Sequence, residues 1–201
     1  MKMQKKNCYI FLFDGFSDWE VSYATVGIQK SEQFRVKTIG FTMEPVRSMG
    51  GLTVTPDTDF ISAVDLVDID SANTALLILP GGTAWEERLN EGISPLVAHC
   101  MLMGIPVAAI CGATVFLADL GILNRTPHTS NDLLYLQTLC PTYSGRAFYR
   151  AEPAVATEPL ITASGSAPIE FAREIFNRLD ILKEDAVAYW FGYMDKQPVL
   201  V

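Results

Sequence analysis

Basic side chains are in short supply in this chain of 201 residues: 15 Lys and Arg stand against 23 Asp and Glu, for a net charge of −8. That balance argues against nucleic acid or an anionic membrane as a partner. Long apolar runs are also missing, and none approaches the length of a membrane span. Lys2, Lys5 and Lys6 precede only a short apolar run, Cys8 to Phe13, too short for a signal segment and without a small-residue cleavage site. The four cysteines (Cys8, Cys100, Cys111, Cys140) lie far apart, with no C-x-x-C and no metal-like spacing, so no metal is expected. Free thiols fit a reducing cytoplasm, the expected location. No repeat, low-complexity stretch or linker divides the chain, and a 49% hydrophobic composition supports one core and one domain over 1–201.

What is present is organised around Gly104 to Ala118. Val107 to Ile110 reads as a strand buried on both faces, ending at Cys111. Gly112 and Ala113 follow, and Thr114 to Ala118 reads as helix. A strand that turns directly into a helix leaves no room for side chains at the corner, hence the two small residues. The residue at the tip is held in the geometry of a nucleophile elbow. Here it is a thiol, and a helix N-terminus favours thiolate. The alternative is a buried, inert cysteine on a core strand.

The rest of the chain alternates strand and helix. Cys8 to Phe13 reads as a central strand, followed by a helix from Ser17 to about Gln29. Ser17 and Glu20 fit a capping box, with Glu20 reaching back to the Ser17 N–H. Phe34 to Gly40 is a second strand, and Pro45 to Pro56, with Gly50-Gly51 inside, reads as short irregular strands or a hairpin. Asp57, Asp59, Asp65, Asp68 and Asp70 lack the spacing of a calcium loop and read as a solvated face. Ala75 to Leu79 is a further buried strand running into Pro80-Gly81-Gly82-Thr83. No G-x-G-x-x-G or G-x-x-x-x-G-K follows, so no nucleotide cofactor is expected, and the glycines are free to present N–H groups to an anion.

Trp85 to Met103 reads as largely helical, broken near Gly92 and restarted at Ser94-Pro95, with His99 structural. A polar loop, Asn124 to Asn131, carries His128 and can cap a helix over Asp132 to Leu139. A hairpin over 154–163, a helix from Pro168 to about Leu179 and a last helix from Glu184 to Phe191 close the chain. The pattern predicts an α/β fold with a doubly wound, mostly parallel sheet, whose sites lie at the carboxyl ends of its strands.

Four segments in order, Phe13 to Glu20, Leu79 to Gly82, Ala109 to Ala113 and Thr162 to Gly165 leading to Glu170-Phe171-Ala172, resemble the DJ-1/PfpI (ThiJ-like) superfamily. The resemblance implies a flavodoxin-like (class I glutamine amidotransferase-like) three-layer sandwich and a homodimer. It also implies that a carboxylic acid from the first strand–helix junction, here Glu20, hydrogen-bonds the elbow cysteine. A protonated Glu20 would donate to the Cys111 thiolate, with its own pKa raised by burial. By the same resemblance Gly81, Gly82 and Gly112 form a substrate or oxyanion site.

Two departures matter. Peptidase-like members carry a His directly after the cysteine, where this chain has Gly112, which argues against proteolysis. His128 is the nearest substitute. The late H-x-E pair of glutamine amidotransferases is absent, because no His follows His128. The expected activity is a cysteine-dependent hydrolase or lyase acting on a small-molecule substrate, either a reactive carbonyl (glyoxalase-like) or an amide or isonitrile. The alternative is a redox or stress sensor working through oxidation of Cys111. The same thiol serves both.

Overall fold

Residues 8–12 are apolar at every position, so both faces of this strand must be covered, which a sheet achieves only with helices on either side. In the computed structural model, which describes residues 4–60 and 69–181, that strand is β1 (Lys6–Leu12). It lies inside a seven-stranded sheet with β2 (Phe34–Gly40), β5 (Thr58–Asp59), β6 (Thr74–Leu79), β7 (Val107–Ile110), β8 (Ala154–Ala156) and β9 (Leu160–Ala163). The order is β5-β2-β1-β6-β7-β9-β8. All neighbours are parallel except β8 and β9, which form the antiparallel hairpin at one edge. A small separate hairpin, β3 (Val46–Arg47) with β4 (Thr53–Val54), fills the expected turn-rich stretch.

From β1 the chain steps outward to β2 through α1 (Asp18–Lys30), and from β6 it steps the other way to β7 through α2 (Ser94–Leu102). Right-handed crossovers in opposite directions set these helices on opposite faces. The product is the three-layer α/β sandwich, with its switch point between β1 and β6. α3 (Ala113–Asp119) and α4 (Leu133–Leu139) follow β7. α5 (Pro168–Leu179) buries Phe171, Ala172, Ile175, Phe176 and Leu179 as one stripe and packs beside α1. The β3–β4 hairpin is tied over the β1–α1 junction: the Gly15 N–H donates to the Arg47 carbonyl, and Ser48 Oγ to Asp18 Oδ2 at 2.7 Å.

The stretch from Trp85 to Met103 is less helical than its sequence predicts. Only single 3-10 turns occur at Thr83–Trp85 and Glu91–Ile93 before α2. Arg88 adopts φ = 60°, which ends any helix there. The Trp85 indole N–H donates to the Pro80 carbonyl at 2.7 Å, fastening this turn to the end of β6. His99 is structural, its Nε2 bonded to the Ile69 carbonyl at 2.7 Å. The helix expected over Glu184 to Phe191 and the residues 61–68 lie outside the described residues. Among the described residues, no helix is long and apolar enough to cross a membrane.

Candidate active site

The carboxyl ends of β1, β6, β7 and β9 meet at one point. β7 ends at Cys111, which takes φ = 58°, a conformation that costs a non-glycine residue about 1–3 kcal/mol. The surroundings enforce it. The Cys111 N–H donates to the Ala163 carbonyl at 3.0 Å, and its own carbonyl accepts from the Thr114 hydroxyl at 2.6 Å and the Thr114 N–H at 3.0 Å. Thr114 has spent its only proton there, so in the 2.6 Å contact with Ser130 Oγ it is the Ser130 hydroxyl that donates. The elbow is thus pinned to β9 and to the loop beyond α3. Cys111 is half-buried, whereas Cys8, Cys100 and Cys140 are fully buried.

Glu20, in the first turn of α1, is only 1% exposed. It does not cap its helix. The Ser17 N–H that a capping box would claim donates to the Gly81 carbonyl at 2.9 Å, and Ser17 makes no side-chain cap. Instead, Glu20 Oε2 accepts the Gly81 N–H at 2.7 Å, and the carboxyl hydrogen-bonds the Cys111 thiol. Glycine is required on both sides of this pair. A Cβ at Gly165 would lie 2.8 Å from Cys111 Sγ and 2.9 Å from Glu20 Oε1, and one at Gly81 would strike Glu20 Oε2 and stand 2.6 Å from Cys111 Cβ.

Burial pushes the Glu20 carboxyl from 4.5 up to about 7, against the opposing pull of the Gly81 N–H and the thiol. Burial also pushes the Cys111 thiol up to about 11, helped by the Glu20 charge, while the Asn131 amide and the Gly112 N–H pull it down. Both groups are thus pushed toward their protonated forms, with the carboxyl and the thiol facing each other where a proton can pass between them.

The three glycines divide their tasks. The Gly81 N–H is committed to Glu20 and is withdrawn from any oxyanion role. Gly82, at φ = 147°, has no partner for its N–H among the described residues. The Gly112 Cα faces the Gly82 carbonyl: a Cβ there would lie 2.7 Å from that oxygen. The Gly112 N–H is directed at the sulfur, and the Gly82 N–H is the one without a backbone partner next to it among the described residues.

His128 is not part of this cluster. Its ring is fully buried, with Nδ1 on the Thr126 carbonyl and Nε2 on the Tyr143 hydroxyl, both at 2.7 Å. Both nitrogens are consumed, and burial lowers its pKa, so it holds the loop as a neutral ring. The residue of that loop that reaches the sulfur is Asn131, with Nδ2 3.5 Å from Cys111 Sγ. The Gly165 N–H donates to its Oδ1 at 2.9 Å, which fixes the amide with its NH2 toward the sulfur. Asn131 was expected only among residues able to cap α4. Asp132 does the capping, its Oδ1 accepting the Tyr135 N–H at 2.7 Å. Nothing in the sequence marks Asn131 beyond its place in the polar loop after the elbow helix.

Among the described residues no group of His, Cys, Asp and Glu is arranged to hold a metal. The site offers a thiol, a carboxyl beside it and the N–H groups of Gly82 and Gly112. That set can open an electrophilic carbon and hold the charge that develops.

Comparison with known proteins agrees with this fold. The chain is 38% identical over 196 residues to the protein named uncharacterized protease YoaZ of Bacillus subtilis, covering 94% of this chain and 90% of that one. The crystal structure of a ThiJ/PfpI family protein from Bacillus anthracis superposes with a TM-score of 0.87 at 37% identity, over 98% of this chain and 93% of its own. The DJ-1 superfamily protein Atu0886 of Agrobacterium tumefaciens gives 0.83 at 32% identity, over 95% and 98%. The DJ-1/PfpI family model matches residues 6–178, a span that contains every residue of the cluster around Cys111, and the chain belongs to the DJ-1/PfpI family.

Proposed function

We propose that the protein is a cysteine enzyme for a small substrate with an electrophilic carbon: a reactive carbonyl, or an amide or isonitrile. One observation carries the reading. Glu20 is bonded to the thiol of a half-buried Cys111, next to two N–H donors with no backbone partner among the described residues. On a carbonyl substrate, Cys111 Sγ bonds the carbon and the thiol proton passes to Glu20. The carbonyl π pair moves to oxygen, where the Gly82 and Gly112 N–H groups hold it. Glu20 then returns the proton to that oxygen or to a leaving nitrogen. The Bacillus subtilis relative carries the name protease. In this chain no imidazole meets the sulfur among the described residues, which favours a small substrate over a peptide.

The test is turnover against a panel of aldehydes, amides and isonitriles. The parent should consume at least one catalytically, and Cys111→Ser should abolish this. Glu20→Gln should keep binding and lose about a hundredfold or more in rate if Glu20 carries the proton. A second reading has its own support, since Cys111 alone of the four thiols is open to solvent. In that reading the protein is a stress sensor in which mild peroxide oxidises Cys111 to sulfenic or sulfinic acid. No turnover across the panel, with clean oxidation of Cys111, would replace the first reading by the second.

The protein acts, in this proposal, as a homodimer in the cytoplasm, where its thiols stay reduced. Near the first helix, Phe16 is taken into the core, whereas Trp19 keeps 46% of its surface exposed. Trp19 is the residue offered to the second copy.

A further inference from the structure

The Asn131 amide that donates to Cys111 is itself held from behind. Tyr135, on the first turn of α4, sets its hydroxyl beside that amide and donates its proton to Glu86 Oε1 at 2.6 Å. With Nδ2 on the sulfur, Oδ1 on the Gly165 N–H and the Tyr135 hydroxyl alongside, the amide is held in one orientation. The support is built into the chain. Asp132, next to Asn131, caps the turn that carries Tyr135. Glu86 follows Trp85, whose indole is fastened at Pro80, directly before Gly81 and Gly82. A line of polar side chains therefore runs from the exposed Glu86 through Tyr135 and Asn131 to Cys111.

We propose that Tyr135 and Glu86 are positioning residues for the nucleophile: together they lock the Asn131 amide with its N–H on Cys111 Sγ, so that the charge left on sulfur when its proton departs finds a donor already in place. The inference deepens the enzyme reading and rests on Cys111 being the nucleophile. The titratable groups facing the sulfur are Glu20 from α1 and Tyr135 from α4, with Glu86 behind Tyr135. Burial and the Glu86 carboxylate keep Tyr135 protonated, so it acts as a fixed link and not as a proton carrier.

The experiment is the rate of Cys111 alkylation by iodoacetamide, followed by mass spectrometry across pH 6 to about 12 on the full chain. Loss of a hydrogen bond to a charged group predicts that Asn131→Ala slows the reaction about tenfold or more and moves its pH midpoint upward. Tyr135→Phe should slow it about threefold to tenfold with a shift in the same direction, since the donor stays present but is no longer held. In the Asn131→Ala background, Tyr135→Phe should change nothing further, because it acts through that amide. Glu86→Gln, which keeps an acceptor for the Tyr135 hydroxyl, should stay within about twofold of the parent. If Tyr135→Phe fails to fold, Glu86→Ala carries the same test.

Parental profiles for both Tyr135→Phe and Glu86→Ala would overturn the proposal. So would equal slowing by Tyr135→Phe in both backgrounds, the mark of a general structural effect. The two readings fail separately. These shifts without any turnover would sink the enzyme reading and support this one, and turnover with unshifted profiles would do the reverse.

Discussion

The Gly81 N–H donates to Glu20 Oε2 at 2.7 Å, and this bond joins the end of β6 to the first turn of α1 across the switch point of the sheet. It aims the carboxyl at Cys111 and leaves it nearly without solvent, which lifts its pKa to about 7. The first prediction follows from that value. Cys111 alkylation should rise with pH through about 7, as Glu20 loses its proton and can accept the one on sulfur. In Glu20→Gln that inflection should vanish, leaving only the increase set by ionisation of the thiol. Rate constants measured from pH 5 to about 10 decide this, and an unchanged inflection would remove Glu20 from the reaction.

Selectivity among the thiols is the second expectation. Burial holds Cys8 and Cys100 up at about 12 and also raises Cys140, and all three side chains are closed to solvent. Cys111 should therefore be labelled first at neutral pH. Peptide mapping that finds another cysteine ahead of it would contradict the assignment.

Stability should carry the signature of Glu20 as well. Its folded pKa lies above the ordinary value of 4.5, so its contribution is fully present below about pH 4.5 and is lost as pH rises through about 7. The two values correspond to about 3 kcal/mol, at roughly 1.4 kcal/mol per pH unit. Urea midpoints of the parent and Glu20→Gln, compared from pH 4 to 8, should diverge over that window, with the parent losing ground. Parallel curves would mean that the carboxyl titrates normally.

Gly165→Ala tests the closeness of the walls. Its methyl would come within 2.8 Å of Cys111 Sγ and 2.9 Å of Glu20 Oε1, displacing one of them. Overpacking of this kind costs about 1–3 kcal/mol, within what the rest of the fold can absorb. The variant should fold, with a lowered melting temperature, and lose most Cys111 reactivity. Circular dichroism and alkylation rates on one sample check both halves.

Light scattering should find twice the 22.1 kDa of the chain at micromolar concentration. Trp19→Glu should shift the protein toward the single chain if α1 borders the interface. A monomeric parent would overturn the dimer.

The elbow was legible in the sequence because strand, two small residues and helix follow one another without interruption at Cys111. The sheet was legible for a similar reason: residues 8–12, 75–79 and 107–110 are apolar without alternation. Glu20 was ambiguous, since Ser17 and Glu20 satisfy a local capping pattern that fails only because the Gly81 carbonyl, distant in sequence, takes the Ser17 N–H. His128 misled because its ring direction is set by Tyr143, a contact made after the chain turns through α4. Asn131 was unreadable for the complementary reason. Its amide is oriented by Gly165, which only the assembled β9 brings within reach. Local pattern reports the nucleophile, and long-range contact chooses its companions.

Gly165 enters this cluster from the last strand of the sheet, far along the chain from Glu20. During synthesis, a chain not yet extended past β9 lacks the Ala163 carbonyl that accepts the Cys111 N–H and the Gly165 N–H that steers Asn131. The cluster of Glu20, Cys111 and Asn131 is thus complete only once β9 and Gly165 have joined the sheet, and a chain ending before them would lack both the wall against the sulfur and the donor that orients the amide.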